Sequence, residues 1–365
     1  MKKISYCIPK ASMDPNDISF KNEVNRNISL VSNINWTITN RRTLNFSFSG
    51  YENGKSIIRP LAKGSCAYCG DKIRQHTLVV EHYRPKNRLK ARDNEFVLTN
   101  GEFLETNRSR ILSYYGYFIW GSDYRNLLPA CRPCNTGEGS NAGVYINNTL
   151  KYSVKYGKDD YFPILRSKET REGIYVESIK NEYPLLFNPY KDNPNELFSY
   201  KIPLNLISRN NAIEIRPNKR ASKRKRLKAE MSINILGLNR QSLCNNRWDI
   251  FDGAARVSLN LAEDLKSSTV TLSKCVNYAK TLCKLNSDSH GTMHGFTMIY
   301  TKKPVKFLYK VIVQNFPVES GSVFKNANSF SGRIDDLEKF IDKYEPICFR
   351  KDTAKLNGIM DSYLR

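Results

Sequence analysis

Hydrophobic positions along this chain of 365 residues follow two different spacings. Up to about residue 200 the apolar runs are short. Leu78-Val79-Val80 reads as a buried strand, and Leu44, Phe46 and Phe48 alternate as a strand does, with Trp36 in another short apolar stretch. Leu185-Leu186-Phe187 is a buried run followed by the turn signals Asn188-Pro189 and Asn193-Pro194. Residues 136–160, rich in Gly, Asn, Tyr and Lys, predict a loop carrying a hairpin. Beyond residue 200 the spacing becomes helical. Leu227, Met231, Ile235 and Leu238 recur at helix spacing, with Gly237 as a stop signal. Phe251, Ala254, Ala255, Leu261 and Leu265 predict a second helix, Val276, Ala279, Leu282 and Cys283 a third, and Leu337, Phe340, Ile341 and Tyr344 a later one. The pattern predicts three segments: an extension over 1–60, suited to docking a partner, a central domain over 61–200, and a basic, mostly helical C-terminal domain over 201–365. No apolar run approaches the roughly 20 residues of a membrane span, and Met1-Lys2-Lys3 leads into no apolar signal stretch.

Composition narrows the class. A hydrophobic fraction of 40% with 11% aromatic residues supports a packed core rather than disorder. The net charge of +23 calls for a polyanionic partner, because lysine and arginine displace counterions from a phosphate backbone. No aromatic-rich amphipathic anchor points to a membrane instead. Arg84, Lys86, Arg88, Lys90 and Arg92 alternate, so an extended segment would set them on one face beside a phosphate strand. Arg216 to Lys228 forms a second basic cluster without an acid, read either as a solvated helix face or as a nucleic-acid track. Cys7, Cys244, Cys275, Cys283 and Cys348 are scattered and odd in number, which fits reduced thiols in a cytoplasmic protein.

The remaining cysteines form Cys66-Ala67-Tyr68-Cys69-Gly70 and Cys131-Arg132-Pro133-Cys134-Asn135. Two C-x-x-C pairs supply the four thiolates of a closed, structural Zn2+ site, with Cys66, Cys69, Cys131 and Cys134 as ligands and no open position for substrate. A redox motif needs a thioredoxin-like βαβ context, which is absent here; four unrelated buried cysteines are the bland alternative. Chemistry must then lie elsewhere, and Glu81-His82 closes the apolar run at 78–80. A metal-dependent phosphodiesterase needs a base and hard oxygen ligands for a cation such as Mg2+ or Mn2+. His82 is a natural base, Glu81 and Asn135 offer a carboxylate and an amide oxygen, and Asn126 is placed to bridge loops and aim the His82 ring. The alternative for His82 is a surface histidine in a basic loop. His290 and His294 lack the helix and the glutamate of a zincin, since Gly291 and Gly295 interrupt them.

In this order, C-x-x-C, acid–His, Asn-Leu and C-x-x-C-Asn resemble the HNH endonucleases. The resemblance implies an α+β chain with a zinc-knuckle ββα-metal core. In it His82 is the general base, Glu81 and Asn135 hold the catalytic ion, and Asn126 is the middle asparagine. More narrowly, Glu81-His82-Tyr83-Arg84-Pro85-Lys86 looks like the signature of the bacterial Septu-type HNH proteins (PtuB). Similar to that family too are Tyr117-Phe118-Ile119-Trp120 ahead of Tyr124-Arg125-Asn126-Leu127, and later Glu182-Tyr183-Pro184-Leu185-Leu186-Phe187-Asn188-Pro189. The likeness runs from about residue 57 to about residue 250. It implies an effector of anti-phage defence acting on DNA, or on RNA such as tRNA. Its implied partners are an ATPase of the ABC/SMC-like class (PtuA-like) and, in some systems, a retron reverse transcriptase with its msDNA. Glu138 stands where many relatives carry lysine, and the glycine-rich run around it predicts a short or interrupted helix at Asn135. A rival from another class is a non-catalytic zinc protein that binds nucleic acid or scaffolds such a complex; a nuclease held inactive until its ATPase partner releases it is a third reading.

Overall fold

The computed structural model describes residues 7, 9–32, 46–72, 77–86, 89–90, 111–113, 116–137, 142–165, 183–200 and 212–252. The expected helices past residue 252, the His290/His294 pair, Trp36, Leu44, Arg88, Arg92 and Glu138 lie outside them. In chain order the elements are α1 (Ile18–Ser32), α2 (Ser49–Ile58), β1 (Val79–His82), β2 (Leu89–Lys90), β3 (Ile111–Ser113), β4 (Leu127–Ala130), α3 (Arg132–Thr136), β5 (Val144–Ile146), β6 (Thr149–Lys151), β7 (Ile164–Leu165), β8 (Tyr183–Pro184), α4 (Pro194–Leu197), β9 (Phe198–Tyr200), β10 (Ile215–Pro217) and α5 (Lys223–Ile235). The strands pair into small antiparallel ladders, β1 with β4, β2 with β3, β5 with β6, β7 with β8 and β9 with β10. The described fold is thus mixed, helices with small two-stranded antiparallel sheets, and it holds a buried cluster of four cysteines.

The described chain falls into two compact units. The first takes Met1–Tyr200 and Glu214–Leu243; of the second, residues 212–213 and 244–252 are described. The helix spaced by Leu227, Met231 and Ile235 is α5, and it lies in the first unit. It starts where the Ser222 hydroxyl accepts from the Lys225 N–H and stops at Gly237, whose φ of +57° suits glycine. In the second unit, Arg247 is fully buried and donates from Nη1 to the Ile213 carbonyl at 3.1 Å, beside the Trp248–Phe251 ring pair.

The core of the first unit is built around the knuckles. Cys66, Cys69, Cys131 and Cys134 are buried with Tyr83, Tyr117, Phe162 and the Leu185-Leu186-Phe187 run, while Ala229, Met231, Ile233 and Ile235 of α5 close it from the other side. The expected hairpin appears as β5–β6, turning at Asn147 and Asn148, both at positive φ, a backbone state asparagine tolerates. The strand expected over 44–48 does not form at 46–48. Alternation there has another cause. Phe46 stacks on Phe118 at a ring separation of 4.8 Å, and Phe48 lies against Gly121, where a Cβ would meet its ring at 2.0 Å.

Candidate metal centre and the Glu81–His82 site

The two knuckles meet because β1 and β4 pair in register, Val79 opposite Ala130 and His82 opposite Leu127. Ala67 N–H donates to the Pro129 carbonyl at 2.8 Å, which draws the first knuckle against the end of β4. Gly70, at φ +76°, closes the first knuckle with its N–H on the Cys66 carbonyl. The Cys131 sulfur caps α3 by accepting from Cys134 N–H. The outcome is four buried sulfurs all within 4.8 Å of one another, Cys69 and Cys131 at 3.9 Å. A tetrahedron with metal–sulfur bonds of about 2.3 Å has edges of about 3.8 Å, so the donor set fits one ion, and these cysteines could hold a metal such as zinc. Burial works against ionisation of Cys69, yet hydrogen bonds from the other three cysteines and the nearby Arg240 charge hold its thiol well below the ordinary range.

One further residue joins the cluster. The Arg240 guanidinium, 2% exposed, reaches the sulfurs of Cys69 and Cys134 at 3.5 Å and that of Cys131 at 3.8 Å. Nothing in the sequence marked it: it stands far along the chain from both knuckles, in an ordinary Gly-Leu-Asn-Arg turn after α5.

Glu81 and His82 are adjacent on β1 and both buried, 7% exposed each. Side chains alternate along a strand, and the two meet different surroundings. The His82 Nε2 lies 2.8 Å from the Gly121 carbonyl. A carbonyl can only accept, so Nε2 carries the proton and Nδ1 the lone pair. Burial, and then the charge of Lys86, hold the imidazole well below its ordinary value of 6.5, in the neutral form. Tyr51 of α2 and Phe48 face the ring at 4.7 and 6.4 Å. Asn126 supplies the frame for this contact. Its Oδ1 accepts from Arg84 N–H at 2.7 Å, and its Nδ2 donates to the carbonyls of Arg84 and Trp120 at 3.0 and 3.1 Å, tying the end of β1 to the turn that presents Gly121.

Glu81 faces the segment 156–160. Lys158, fully buried, donates from Nζ to Glu81 Oε1 at 2.6 Å. Burial raises the Glu81 carboxyl above its ordinary value, and the Lys158 charge works against that rise. The same segment binds α3: Lys158 N–H donates to the Cys134 carbonyl at 2.9 Å and Asp159 N–H to the Asn135 carbonyl at 2.6 Å. Glu81 and the half-buried Asn135 are therefore brought to one segment, but a cation of the chain itself sits on the carboxylate. The first glycine after Asn135 has a structural reason. Gly137, at φ +82°, caps the five-residue α3, and a Cβ there would meet the Tyr156 carbonyl oxygen at 2.3 Å. Gly157 in turn would place its Cβ 2.3 Å from Gly137 N. Two backbones touch here, and only glycine permits it.

The basic residues divide. Arg84 is buried, its guanidinium between 5.2 and 5.6 Å from the rings of Tyr83, Tyr117 and Phe162. Three aromatic faces thus compensate the desolvation of the residue expected beside a phosphate strand. Lys86 lies over the Tyr51 and Phe48 rings at 4.0 and 4.5 Å, beside His82. Lys90 belongs to β2, and Arg88 is outside the described residues. In the second basic cluster, Lys225 pairs with Glu196 and Lys228 with Asp192, each at 2.6 Å, while Lys219, Arg220, Lys223, Arg224 and Arg226 are exposed at the start of α5. No described helix is long and apolar enough to cross a membrane. Comparison with protein-family models, with curated proteins and with solved structures found no match.

Proposed function

We propose that this chain is a metal-dependent endonuclease of HNH type with a structural zinc, the effector of a bacterial anti-phage defence system of the Septu kind. The observation that carries the proposal is the neutral, carbonyl-anchored His82 at the end of β1, in a strand–strand–helix order (β1, β4, α3) fastened by the four cysteines. In this reading His82 Nδ1 takes a proton from water, the oxygen attacks the phosphorus, and the bond to the departing 3′ oxygen breaks. Glu81 and Asn135 supply hard oxygen donors for Mg2+ or Mn2+, which when bound offers charge stabilisation at the phosphate. Asn126 keeps Gly121 on Nε2 and so keeps the lone pair on Nδ1. The exposed cations at the start of α5 and the charge of +23 supply the attraction for a DNA or RNA backbone.

Two observations favour a second reading, in which the chain as folded alone is latent or non-catalytic. Lys158 already satisfies Glu81, and Phe48 and Tyr51 cover His82. An ATPase of the ABC/SMC-like class is the partner expected to release it, with a retron reverse transcriptase and its msDNA as further members of such a complex. Plasmid DNA and tRNA incubated with the purified chain and Mg2+ or Mn2+, with and without the co-purified ATPase, separate the readings. Cleavage that disappears in His82→Ala, with zinc content and folding unchanged, supports the nuclease; cleavage retained by that variant refutes the assignment of the base. Cutting only with the partner supports latency, and no cutting under either condition leaves the binding or scaffold role.

A further inference from the structure

We propose that Arg240 is the built-in counter-charge of the cysteine cluster: one guanidinium fork bonds sulfurs of both knuckles, slows release of the metal they hold and shields the thiolates from electrophiles. The inference rests on the metal-centre reading and adds to it a residue outside the ligand set. Four thiolates around one divalent cation carry a net charge of about minus two in a site with no solvent access, and burying unbalanced charge is costly. Arg240 answers that cost directly. Nη1 points to Cys134 and Nη2 to Cys69 and Cys131, so a planar fork spans the junction between the two C-x-x-C turns, as a point charge on a flexible stem cannot.

The surroundings offer Arg240 little else. Its Nε is buried without a hydrogen-bond partner among the described residues, and its Nη1 donates to the Gly237 carbonyl at 3.3 Å. Filling space in the core does not account for an arginine there, because an apolar side chain would fill it without stranding Nε. The main chain is fixed as firmly as the fork. Arg240 N–H donates to the Gly237 carbonyl at 3.0 Å, Tyr145 N–H to Asn239 at 2.9 Å and Gln241 N–H to Gly143 at 2.8 Å, with a bridge pairing Val144 and Arg240. The turn after α5 is thus pinned to β5, and the side chain is delivered to the sulfurs from a rigid base. Groups that bond to metal ligands from outside commonly change affinity 10–100-fold when removed.

The test uses the full chain loaded with zinc and the variants Arg240→Met and Arg240→Lys. Zinc content is measured first, then transfer of zinc to a chromophoric chelator, then alkylation of the zinc-loaded protein by iodoacetamide. Release and alkylation are expected to be about 10–100-fold faster in Arg240→Met, with Arg240→Lys in between because it keeps charge and loses the fork. Unchanged rates in folded Arg240→Met, or in Arg240→Lys should the methionine variant fail to fold, overturn the proposal. An unmodified chain that takes up no zinc overturns the metal-centre reading itself, a separate and distinguishable failure.

Discussion

At the residue scale, burial drives both Glu81 and His82 toward their neutral forms, and Glu81 is the one given a buried cation to resist it. Removing that cation leaves a carboxylate in a dry site, so Lys158→Met should destabilise the protein by about 3–5 kcal/mol. Adding Glu81→Leu should recover most of the loss, read by urea unfolding. His82 makes the pH dependence. Its folded value lies below its unfolded value near 6.5, so the unfolded chain binds the extra proton first. The stability it contributes is present above that value and lost as pH falls below it. Glu81 has the opposite sign, its folded value being raised above 4.5, so its contribution is lost as pH rises through the folded value. The difference between wild type and His82→Gln isolates the histidine. Unfolding free energy of the wild type should fall more steeply on acidification below 6.5 than that of the variant. The acid–His pair was legible in the sequence because adjacency and the preceding apolar run are local facts. Lys158 and Arg240 were not, since their partners are defined by folding and no spacing encodes them.

At the element scale, α3 is as short as the sequence indicated, and the reason is contact rather than weak propensity. Gly137 and Gly157 let the 156–160 segment run against the helix end and deliver Lys158 to Glu81. Gly157→Ala, at φ +105° and with its Cβ directed at a backbone nitrogen, should destabilise the fold by more than about 1 kcal/mol. It should also loosen the Lys158–Glu81 pair, measurable by hydrogen exchange at Lys158 and Asp159, whose amides bond to α3. The apolar run at 78–80 leads into β1 at Val79–His82, and α5 follows the spacing of Leu227, Met231 and Ile235, whereas Phe46 and Phe48 misled. Two aromatics in alternation look the same whether they line a sheet or anchor a non-strand segment to separate partners. Serine cannot replace a thiolate as a soft ligand, so Cys66→Ser or Cys131→Ser should lose the metal and lower the melting temperature. Equal melting of variant and wild type would count against the centre.

At the scale of the whole molecule, the N-terminal residues are part of the site's surroundings rather than an appendage. The buried Glu23 of α1 accepts from the Ser49 N–H at 2.6 Å, and from the hydroxyls of Ser49 and Ser122, so one carboxylate ties α1, the start of α2 and the Gly121 turn together. Glu23→Ala leaves those donors unmatched and should cost about 1–3 kcal/mol, with faster exchange around Gly121 as its signature. The sequence placed no chemistry in 1–60, because Glu23 and Tyr51 gain their meaning only against residues 82 and 121. Under the proposed function, the net charge predicts that affinity for plasmid DNA or tRNA should fall linearly in log–log fashion with salt, the slope counting the phosphates engaged; a flat response would count against it. Cys69 and Cys131, 62 positions apart, end with their sulfurs 3.9 Å from each other. Everything between them is therefore a closed ring seen from the knuckles, and doubling the length of such a ring costs only about 0.6 kcal/mol. An insertion into that ring outside β1 and β4 should therefore leave the anchor in place, provided the β1–β4 register that brings the knuckles together is kept.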